Sequence, residues 1–550
     1  MIPIGKNSAI PRTSSQWLIL AFTCVILLQF ELVINRPVNW DEFFHLSEAH
    51  AFAQGRLTEA LQVFYARAFF WLPMLPVDAV DQIRVARMFM FGCELFTAYA
   101  IYAMAKSLVD DSPAALAALT YLATGYVFQH GFSYRADPMA AAFLMGAAWT
   151  LLSSKVDVRD ILIAALLAAL ATLTTIKVIF YAPVFAGITW LRWVEAEDRR
   201  DMALRLSAFA GLAILLALVL IAATILSLPE ASTDSTAKTV STSGSMMFDE
   251  GLFPRWPYAI HAMILAPLTT LFIVRTPLEL RRISLPRSRQ ILLTALLLPL
   301  TSLIFYRNSF PYFYVYILPP VMVAAAIAVK ATLVRSSLGF LSFVLIINAA
   351  TISLATPRGV LLAQKQVLTA AREIFPEPVA YFDFPGMLVD FPKANFFMTT
   401  WGVRKYRAGI EPSFVEAMSH EVVPLLVVNQ EPLERNQTSP TPAWELLPDD
   451  AVALREGFIP HWGPFWVAGR RFSPETKGQT FTIYTPGVYT LEGAPARIDE
   501  HIYKAGETIM LRRGTHRFEN NGDGPAILRW GNHLKTPDYP FMGGPIFKDF

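Results

Sequence analysis

The chain has 550 residues, of which 54% are hydrophobic and 16% charged, and its mean hydropathy is +0.41. Soluble proteins carry about 25% charged residues, so this composition excludes an ordinary soluble protein and predicts one that crosses a membrane several times. The net charge of +2 gives no sign of a nucleic-acid partner. Cys24 and Cys93 both lie in apolar runs, so neither a disulfide framework nor a cysteine metal site is predicted.

Eleven apolar runs predict membrane helices. The first run follows Lys6 and Arg12 and is not followed by a small-residue cleavage pattern, so we expect a retained helix and not a signal peptide. At Lys177 the two flanking runs could also form one longer helix. The runs cover approximately residues 17–34, 86–107, 114–130, 138–153, 160–176, 178–192, 206–228, 257–275, 290–305, 312–332 and 337–355.

Basic residues are concentrated in alternate loops between these runs. An excess of Lys and Arg marks cytoplasmic loops, which predicts a cytoplasmic N-terminus and, after an odd number of crossings, a periplasmic C-terminal region. We therefore expect a multi-pass protein of the bacterial inner membrane. The basic loops contain Lys6 and Arg12; Lys155 and Arg159; Arg192, Arg199, Arg200 and Arg205; Arg281, Arg282, Arg287 and Arg289; and Lys330 and Arg335.

The stretch from Asn39 to Glu48, directly after the first run, predicts an amphipathic helix at the outer membrane face. Asn39 and Glu42 have the spacing of a capping box. Asp41, His45 and Glu48 share one face of the helix, which makes that face a candidate catalytic site. The alternative is that Glu42 only caps the helix and that Asp41 only favours its N-terminus.

Other outer segments complete the predicted architecture, a polytopic α-helical membrane domain over residues 1–355 with a soluble periplasmic region. The segment 58–71 predicts a second helix in the interface, and the Ser-, Thr- and Gly-rich loop 229–256 is a candidate lid. The later composition is that of a soluble protein and predicts an α/β domain over 356–470. Short strands punctuated by Gly and Asn-Gly turns predict a β-sandwich-like domain over 471–550.

Ionisable residues at the outer ends of the runs are functional candidates, because a charge is costly inside a membrane. Any one of the basic residues could simply extend toward the lipid headgroups. Several cations on the face where the positive-inside rule does not place them instead suit an anionic lipid headgroup. The ionisable residues at the outer ends are the cations Arg84, Arg87, Arg135, Lys177, Arg255 and Arg307, together with the acid Asp137. The tyrosines and phenylalanines between 306 and 316 predict an aromatic belt, with stacking on a sugar as the alternative.

Several of these features resemble the bacterial GT-C glycosyltransferases, and in particular the protein O-mannosyltransferase-like superfamily. That superfamily includes the lipid A aminoarabinose transferase and the rhizobial lipid A galacturonosyltransferases. The resemblance covers about residues 15–355, and the turn at 306–311 is only loosely like the family's basic-aromatic segment. It rests on Asp41-Glu42 after the first run, the amphipathic segments of the first outer loop, Arg135-x-Asp137, and Thr175-Ile176-Lys177.

The resemblance implies an enzyme that transfers a sugar from a polyprenyl-phosphate donor to a glycan, lipid or protein acceptor, usually with inversion. Asp41 would be the general base, because an acceptor hydroxyl needs a carboxylate to deprotonate it, and Asp137 and Glu42 would be further catalytic carboxylates. The residues expected to bind the donor phosphate are Lys177, Arg135, Arg307, Arg255 and Arg87. The residues expected to bind substrate are His45, Tyr134, Tyr306 and Tyr312. No cofactor is firmly expected, although Asp41, His45 and Glu48 could hold a divalent metal.

Two other functions compete with the enzyme. A transporter or flippase of a lipid-linked glycan would more typically show broken helices or paired repeats near the bilayer midplane, and we expect neither here. A membrane anchor for a soluble domain would not explain the cations at the outer face. The sequence therefore favours a glycosyltransferase.

Overall fold

The computed structural model describes residues 12–57, 64–227, 250–439, 441, 443–476 and 478–547. Residues 58–63 of the predicted interfacial segment 58–71 and residues 229–249 of the predicted lid 229–256 fall outside these residues. Helices make up the first two thirds of the described chain. The helices up to the end of the apolar region are α1 (Arg12–Asn35), α2 (Trp40–Ala53), α3 (Phe64–Ala68), α4 (Ala79–Ala105), α5 (Asp111–Ala123), α6 (Gly125–His130), α7 (Ala136–Ser153), α8 (Val158–Thr174), α9 (Ala182–Glu195), α10 (Arg199–Leu226), α11 (Trp256–Leu265), α12 (Pro267–Arg282), α13 (Arg287–Leu297), α14 (Phe313–Leu333) and α15 (Leu338–Ala355).

Five of the described helices are long and apolar enough to cross a membrane, namely α1, α4, α10, α14 and α15. A sixth span results if α11 and α12, which meet at an angle of 105°, count as one. Each predicted run is largely helical, but several runs are interrupted by breaks or by 3-10 turns at 176–181 and 298–304. The chain is a membrane protein by these features, and the number of eleven spans stays a prediction.

Two predictions about individual helices are settled by these bounds. A break is present before Lys177, because α8 ends at Thr174 and Thr175 is extended, so the alternative of one longer helix is wrong. The expectation that no helix is broken is also wrong, because α11 and α12 bend sharply at Ala266. Pro267 explains this bend, since proline disfavours helical conformation in the residue before it.

Helix α14 forms the centre of the helical region. Within its span, 94% of the residues are buried by other parts of the described chain. It is apolar on all sides, which is the pattern of a helix surrounded by protein. The Tyr121 and Tyr181 hydroxyls donate to the carbonyls of Val315 and Tyr316, at 3.1 and 2.7 Å. These bonds fix the start of α14, which lies beside the candidate site.

The remaining chain forms a strand-rich region that begins with helix α16 (Gly359–Ile374). Its strands are β1 (Tyr381–Phe382), β2 (Leu425–Val427), β3 (Phe458–Trp462), β4 (Phe465–Phe472), β5 (Gln479–Ile483), β6 (Gly487–Gly493), β7 (Ala496–Ile498), β8 (His501–Tyr503), β9 (Thr508–Leu511), β10 (Gly514–Asn520) and β11 (Ala526–Trp530). The larger sheet has seven strands in the order β1-β2-β4-β11-β6-β9, with β3 paired to β4, and the smaller has four in the order β5-β10-β7-β8. The helices between them are α17 (Thr399–Arg407), α18 (Phe414–His420), α19 (Glu431–Thr438) and α20 (Pro448–Gly457).

The predicted boundary between residues 470 and 471 falls inside a strand. β4 runs from Phe465 to Phe472 and pairs with β2 on one side and β11 on the other. The α/β part and the sandwich part therefore share one sheet. β4 contributes Ala468 to the core of the α/β part and Phe472 to the core of the sandwich part, where the Phe472 ring stacks on that of Phe518 at 3.6 Å between centroids. The sequence could not show this, because hydrophobic alternation reports strands and not which strands pair.

Candidate active site

The start of α2 is capped as the sequence predicts. The Asn39 side chain accepts a hydrogen bond from the Asp41 backbone N–H at 3.0 Å. The Glu42 carboxylate in turn accepts from the Asn39 N–H at 3.0 Å, which completes a capping box. Glu42 therefore has the capping role that the sequence left open, whereas Asp41, at the preceding position, gives the cap its backbone N–H but not its carboxylate.

The Glu42 carboxylate also forms a buried ion pair with Arg87 of α4. The Arg87 Nε and Nη2 atoms donate to the two carboxylate oxygens at 2.8 and 2.6 Å, and both side chains are only 1% exposed. The Tyr134 backbone N–H donates to Glu42 at 2.9 Å. Burial raises the pKa of Glu42, but the charge and hydrogen bonds of Arg87 outweigh it, and the net shift is downward. The pair joins α2, α4 and the turn before α7.

The remaining donors of Arg87 are also occupied. Its Nη1 and Nη2 atoms donate to the backbone carbonyls of Arg36 and Pro37, at 2.8 and 2.9 Å. Every nitrogen of this guanidinium thus has a protein acceptor. The geometry favours a structural role for Arg87 over the predicted contact with a donor phosphate, and the same applies to Glu42 and its predicted catalytic role.

Asp41 projects to a different partner, Arg135, in the turn before α7. The two side chains form an ion pair of 2.5 Å between Oδ2 and Nη1. The guanidinium carbon of Arg135 lies 3.5 Å from the centroid of the Tyr312 ring, close enough for a cation–π contact. Arg135 is buried, and 14% of the Asp41 side chain is exposed. Asp41 is thus more accessible than its partner Arg135.

A second ion pair joins Asp137, in the first turn of α7, to Lys177 at the break after α8. Both side chains are buried. The ammonium of Lys177 lies 5.8 Å from the centroid of the Tyr312 ring and 5.5 Å from that of Tyr316. Arg135 and Lys177 therefore lie near the same aromatic ring, and each has an acid as its ion-pair partner.

His45 lies one helical turn after Asp41. Its burial and the nearby charges of Arg135 and Lys177 lower its pKa well below the ordinary value for histidine. Its ring packs against Tyr134, with 6.2 Å between centroids. His45 was predicted from the sequence to lie at this site. The charges of Arg135 and Lys177 both act on its ring.

The remaining predicted residues make other contacts. Tyr134 is fully buried against Phe69, at 5.0 Å between ring centroids, and Tyr306 is packed against Phe313 at 4.7 Å. Glu48 interacts electrostatically with Lys393 of the strand-rich region. The described residues contain no group of three or more His, Cys, Asp or Glu side chains arranged to hold a metal ion. The three metal candidates on α2 therefore do not converge.

Arg255 and Arg307 lie together in a second location. Both pair with Glu250, at 2.9 Å from Arg255 Nη1 and 2.7 Å from Arg307 Nε. They line a cavity of about 610 Å³ whose other wall belongs to α17. Arg255 also packs on the Phe310 ring, at 4.6 Å from its centroid. The predicted set of outer cations is therefore divided between two places.

The strand-rich region contacts the beginning of α2. The Gln364 side chain of α16 is buried, accepts from the Val38 N–H at 3.0 Å and donates to the Val38 carbonyl at 2.7 Å. It also donates to the Ile546 carbonyl at 2.9 Å. The Phe547 ring then packs on Phe43, at 5.8 Å between centroids. Gln364 was not a sequence candidate, because no local pattern links it to a residue 326 positions earlier.

Comparison with solved structures finds several of similar fold. The structure of ArnT from Cupriavidus metallidurans bound to undecaprenyl phosphate has a TM-score of 0.54 and 13% identity, over 78% of this chain and 95% of that one. The oligosaccharyltransferase of Archaeoglobus fulgidus in the apo form has a TM-score of 0.53 and 11% identity, over 96% and 98%. The Archaeoglobus fulgidus AglB complex with an inhibitory peptide and a dolichol-phosphate has a TM-score of 0.51 and 11% identity, over 96% and 97%.

No protein-family model matches the chain, and no curated protein matches it in sequence. The likeness is therefore one of fold at low identity, and it extends over most of each neighbour. Both kinds of neighbour are GT-C enzymes. The chain is a membrane protein with the GT-C fold, as the resemblance in its sequence predicted.

Proposed function

We propose that this protein is a membrane glycosyltransferase that transfers a sugar from a polyprenyl-phosphate donor to an acceptor at the periplasmic face. The observation that carries the proposal is the pair of neighbouring ion pairs, Asp41–Arg135 and Asp137–Lys177, beside the Tyr312 ring on a GT-C fold. One neighbour binds undecaprenyl phosphate and another a dolichol-phosphate. A lipid phosphate as the leaving group fits two cations in this position.

Asp41 would act as the general base. The acceptor hydroxyl gives its proton to the Asp41 carboxylate as its oxygen bonds to the anomeric carbon of the donor sugar. The bond between that carbon and the phosphate oxygen breaks, and the lipid phosphate leaves with the electron pair. Asp41 suits the base role because its carboxylate is partly exposed and is not consumed by the cap.

Arg135 and Lys177 would bind the donor phosphate and neutralise its growing charge. An arriving phosphate competes with Asp41 for Arg135, so donor binding would release the carboxylate for proton transfer. Asp137 would keep Lys177 in place and help to orient the acceptor. Glu42 and Arg87 would instead hold α2 against α4, and neutral His45 would line the acceptor side.

The experiment that tests the proposal measures the release of undecaprenyl phosphate from undecaprenyl-phosphate sugars by the purified protein in nanodiscs. Glycolipid mass spectrometry of a deletion strain would identify which sugar and acceptor to supply. We expect release that depends on an acceptor and is lost in the Asp41→Asn variant. Movement of the lipid-linked sugar across the bilayer without any release would support the flippase alternative, which the bent pair α11–α12 favours.

The proposal also places the strand-rich region in the periplasm. A reporter that is active only in the cytoplasm should stay silent when it is fused after residue 550. The same reporter fused to the loop after Ser154, on the opposite predicted side, should be active. An active C-terminal fusion would contradict the predicted orientation.

A further inference from the structure

The cavity at Arg255 and Arg307 has an unusual balance of charge. Its described lining contains four arginines and one acid, Glu250. Glu250 pairs with Arg255 and Arg307, while Arg404 and Arg407 extend from α17 on the opposite wall and are exposed. Clefts lined by one sign of charge concentrate ligands of the other sign. The cavity therefore favours an anionic ligand.

The same cavity carries an exposed aromatic side chain. Trp444 is 66% exposed, and its backbone carbonyl accepts a hydrogen bond from Arg407. The Arg407 guanidinium carbon lies 5.9 Å from the centroid of the indole ring. A flat apolar ring beside guanidinium groups suits a sugar ring that carries an anionic substituent, since arginine pairs bidentately with phosphate and carboxylate.

A series of contacts leads from this cavity to Asp41. Arg255 packs on Phe310, whose ring stacks near that of Tyr312 at 6.0 Å between centroids. Tyr312 lies under Arg135, which pairs with Asp41. The cavity is thus separated from the proposed transfer centre by two aromatic side chains, and one extended ligand could reach both places.

We propose that this cavity is a second binding site, for a saccharide that carries a phosphate or carboxylate group. Its volume of about 610 Å³ lies within the usual range of roughly 300–1,000 Å³ for small-molecule sites. Arg404, Arg407 and Trp444 give the soluble region a direct part in binding. This inference rests on the proposed function. The charged sugar then belongs to the acceptor and lies beyond the hydroxyl that Asp41 deprotonates. Arg255 and Arg307 then serve this group and not the donor phosphate.

The test is isothermal titration calorimetry on the full chain in nanodiscs of zwitterionic lipid. The probes are glucose 6-phosphate, glucuronate, glucose and inorganic phosphate. We expect both anionic sugars to bind, glucose to bind at least about tenfold more weakly, and phosphate alone to bind more weakly than glucose 6-phosphate. The inference would be overturned if glucose bound as tightly as the anionic sugars, if free phosphate bound more tightly than glucose 6-phosphate, or if neither anionic sugar bound.

Two double variants identify the site. Arg404→Gln/Arg407→Gln should weaken glucose 6-phosphate binding about tenfold or more. Arg471→Gln/Arg497→Gln removes the same charge from two exposed positions on β4 and β7 and should bind like the unmodified protein. Equal affinity in both double variants would overturn the assignment to this cavity. Thermal unfolding checks that Arg404→Gln/Arg407→Gln remains folded. The single variant Trp444→Ala is a second test of the site, because loss of the indole ring under the sugar should weaken glucose 6-phosphate binding.

The Asp41→Asn variant separates this inference from the proposed function. It should bind glucose 6-phosphate normally and fail to transfer sugar. Transfer by Asp41→Asn would contradict the proposed function and leave the cavity assignment intact. Unchanged binding of glucose 6-phosphate in Arg404→Gln/Arg407→Gln would contradict the cavity assignment and leave the proposed function intact.

Discussion

Arg135 holds Asp41 in an ion pair of 2.5 Å while its guanidinium lies 3.5 Å from the centre of the Tyr312 ring. Asp41 lies in α2, Arg135 immediately precedes α7, and Tyr312 immediately precedes α14. One guanidinium therefore connects three separate parts of the membrane domain at the proposed base. This arrangement sets the site apart from surface ion pairs, which contribute only about 0–1 kcal/mol to stability.

Replacing Asp41 by Asn should abolish transfer while the protein remains folded. The amide keeps the size of the side chain but cannot take the acceptor's proton, and loss of a general base costs about 10²–10⁴ in rate. Turnover of undecaprenyl-phosphate sugar in nanodiscs measures this loss. Asp81→Asn, which removes a partly exposed and ion-paired acid from the first turn of α4, is the matched control. Full turnover in the Asp41 variant would end its catalytic assignment.

Removing Lys177 alone should damage both donor use and folding. Lys177→Ala leaves Asp137 buried without its cation, and breaking a buried ion pair costs about 3–5 kcal/mol. The double variant Lys177→Met/Asp137→Asn removes both charges and should recover much of the stability. Its Michaelis constant for the donor should stay high, since one charge-assisted contact to the phosphate is worth about 1.5–3 kcal/mol. A stable double variant with normal donor dependence would remove Lys177 from the donor site.

Glu42→Gln should lower stability more than any exposed carboxylate change. The amide leaves Arg87 charged and buried with only neutral partners, which we expect to cost about 3–5 kcal/mol. Denaturation in detergent, followed by tryptophan fluorescence, measures the change. Glu31→Gln breaks a partly exposed pair with Arg358 and should cost less than about 1 kcal/mol. Similar stabilities of the two variants would contradict the buried-pair argument.

Gln364→Ala should reduce turnover because Gln364 holds the backbone at the start of α2, the helix that carries Asp41, and not because Gln364 contacts the substrate. The change leaves the Val38 N–H and carbonyl and the Ile546 carbonyl without this partner, and each buried unpaired group costs about 1–3 kcal/mol. We expect a lower turnover number with a nearly unchanged Michaelis constant for the donor. Gln366→Ala is the control, because this half-buried neighbour on α16 also contacts the C-terminal segment. Equal effects of the two changes would argue against a special role for Gln364.

We expect the buried charge environment of His45 to make the folded protein less stable at mildly acidic pH. Its pKa is lowered in the folded protein, so the unfolded chain takes up a proton near the ordinary value of about 6.5 while the folded chain does not. Stability from this residue is therefore complete above about pH 6.5 and falls as the pH decreases below it. The melting temperature should drop less between pH 7 and 5 in His45→Gln than in the unmodified protein or in the exposed control His420→Gln. A steeper drop in His45→Gln would contradict the argument.

Local patterns in the sequence determined the membrane class, the positions of most helices and the capping box at the start of α2. Apolar runs and the spacing of Asn39 and Glu42 are properties of neighbouring residues, so they can be read without knowing the rest of the fold. The same reasoning selected Asp41, Arg135, Asp137 and Lys177, which the structure joins in two adjacent ion pairs. Their charges at the outer ends of membrane helices marked them, because such charges need partners.

Only the tertiary structure decided which partner each charge has. Arg87 belonged by sequence to the same outer cations as Arg135, yet it pairs with Glu42 and leaves no donor for a phosphate. Arg255 and Arg307 were grouped with Lys177, yet they share Glu250 and face α17. An ion pair depends on atoms brought within a few ångströms by helices far apart in the chain, and local spacing carries no information about that approach.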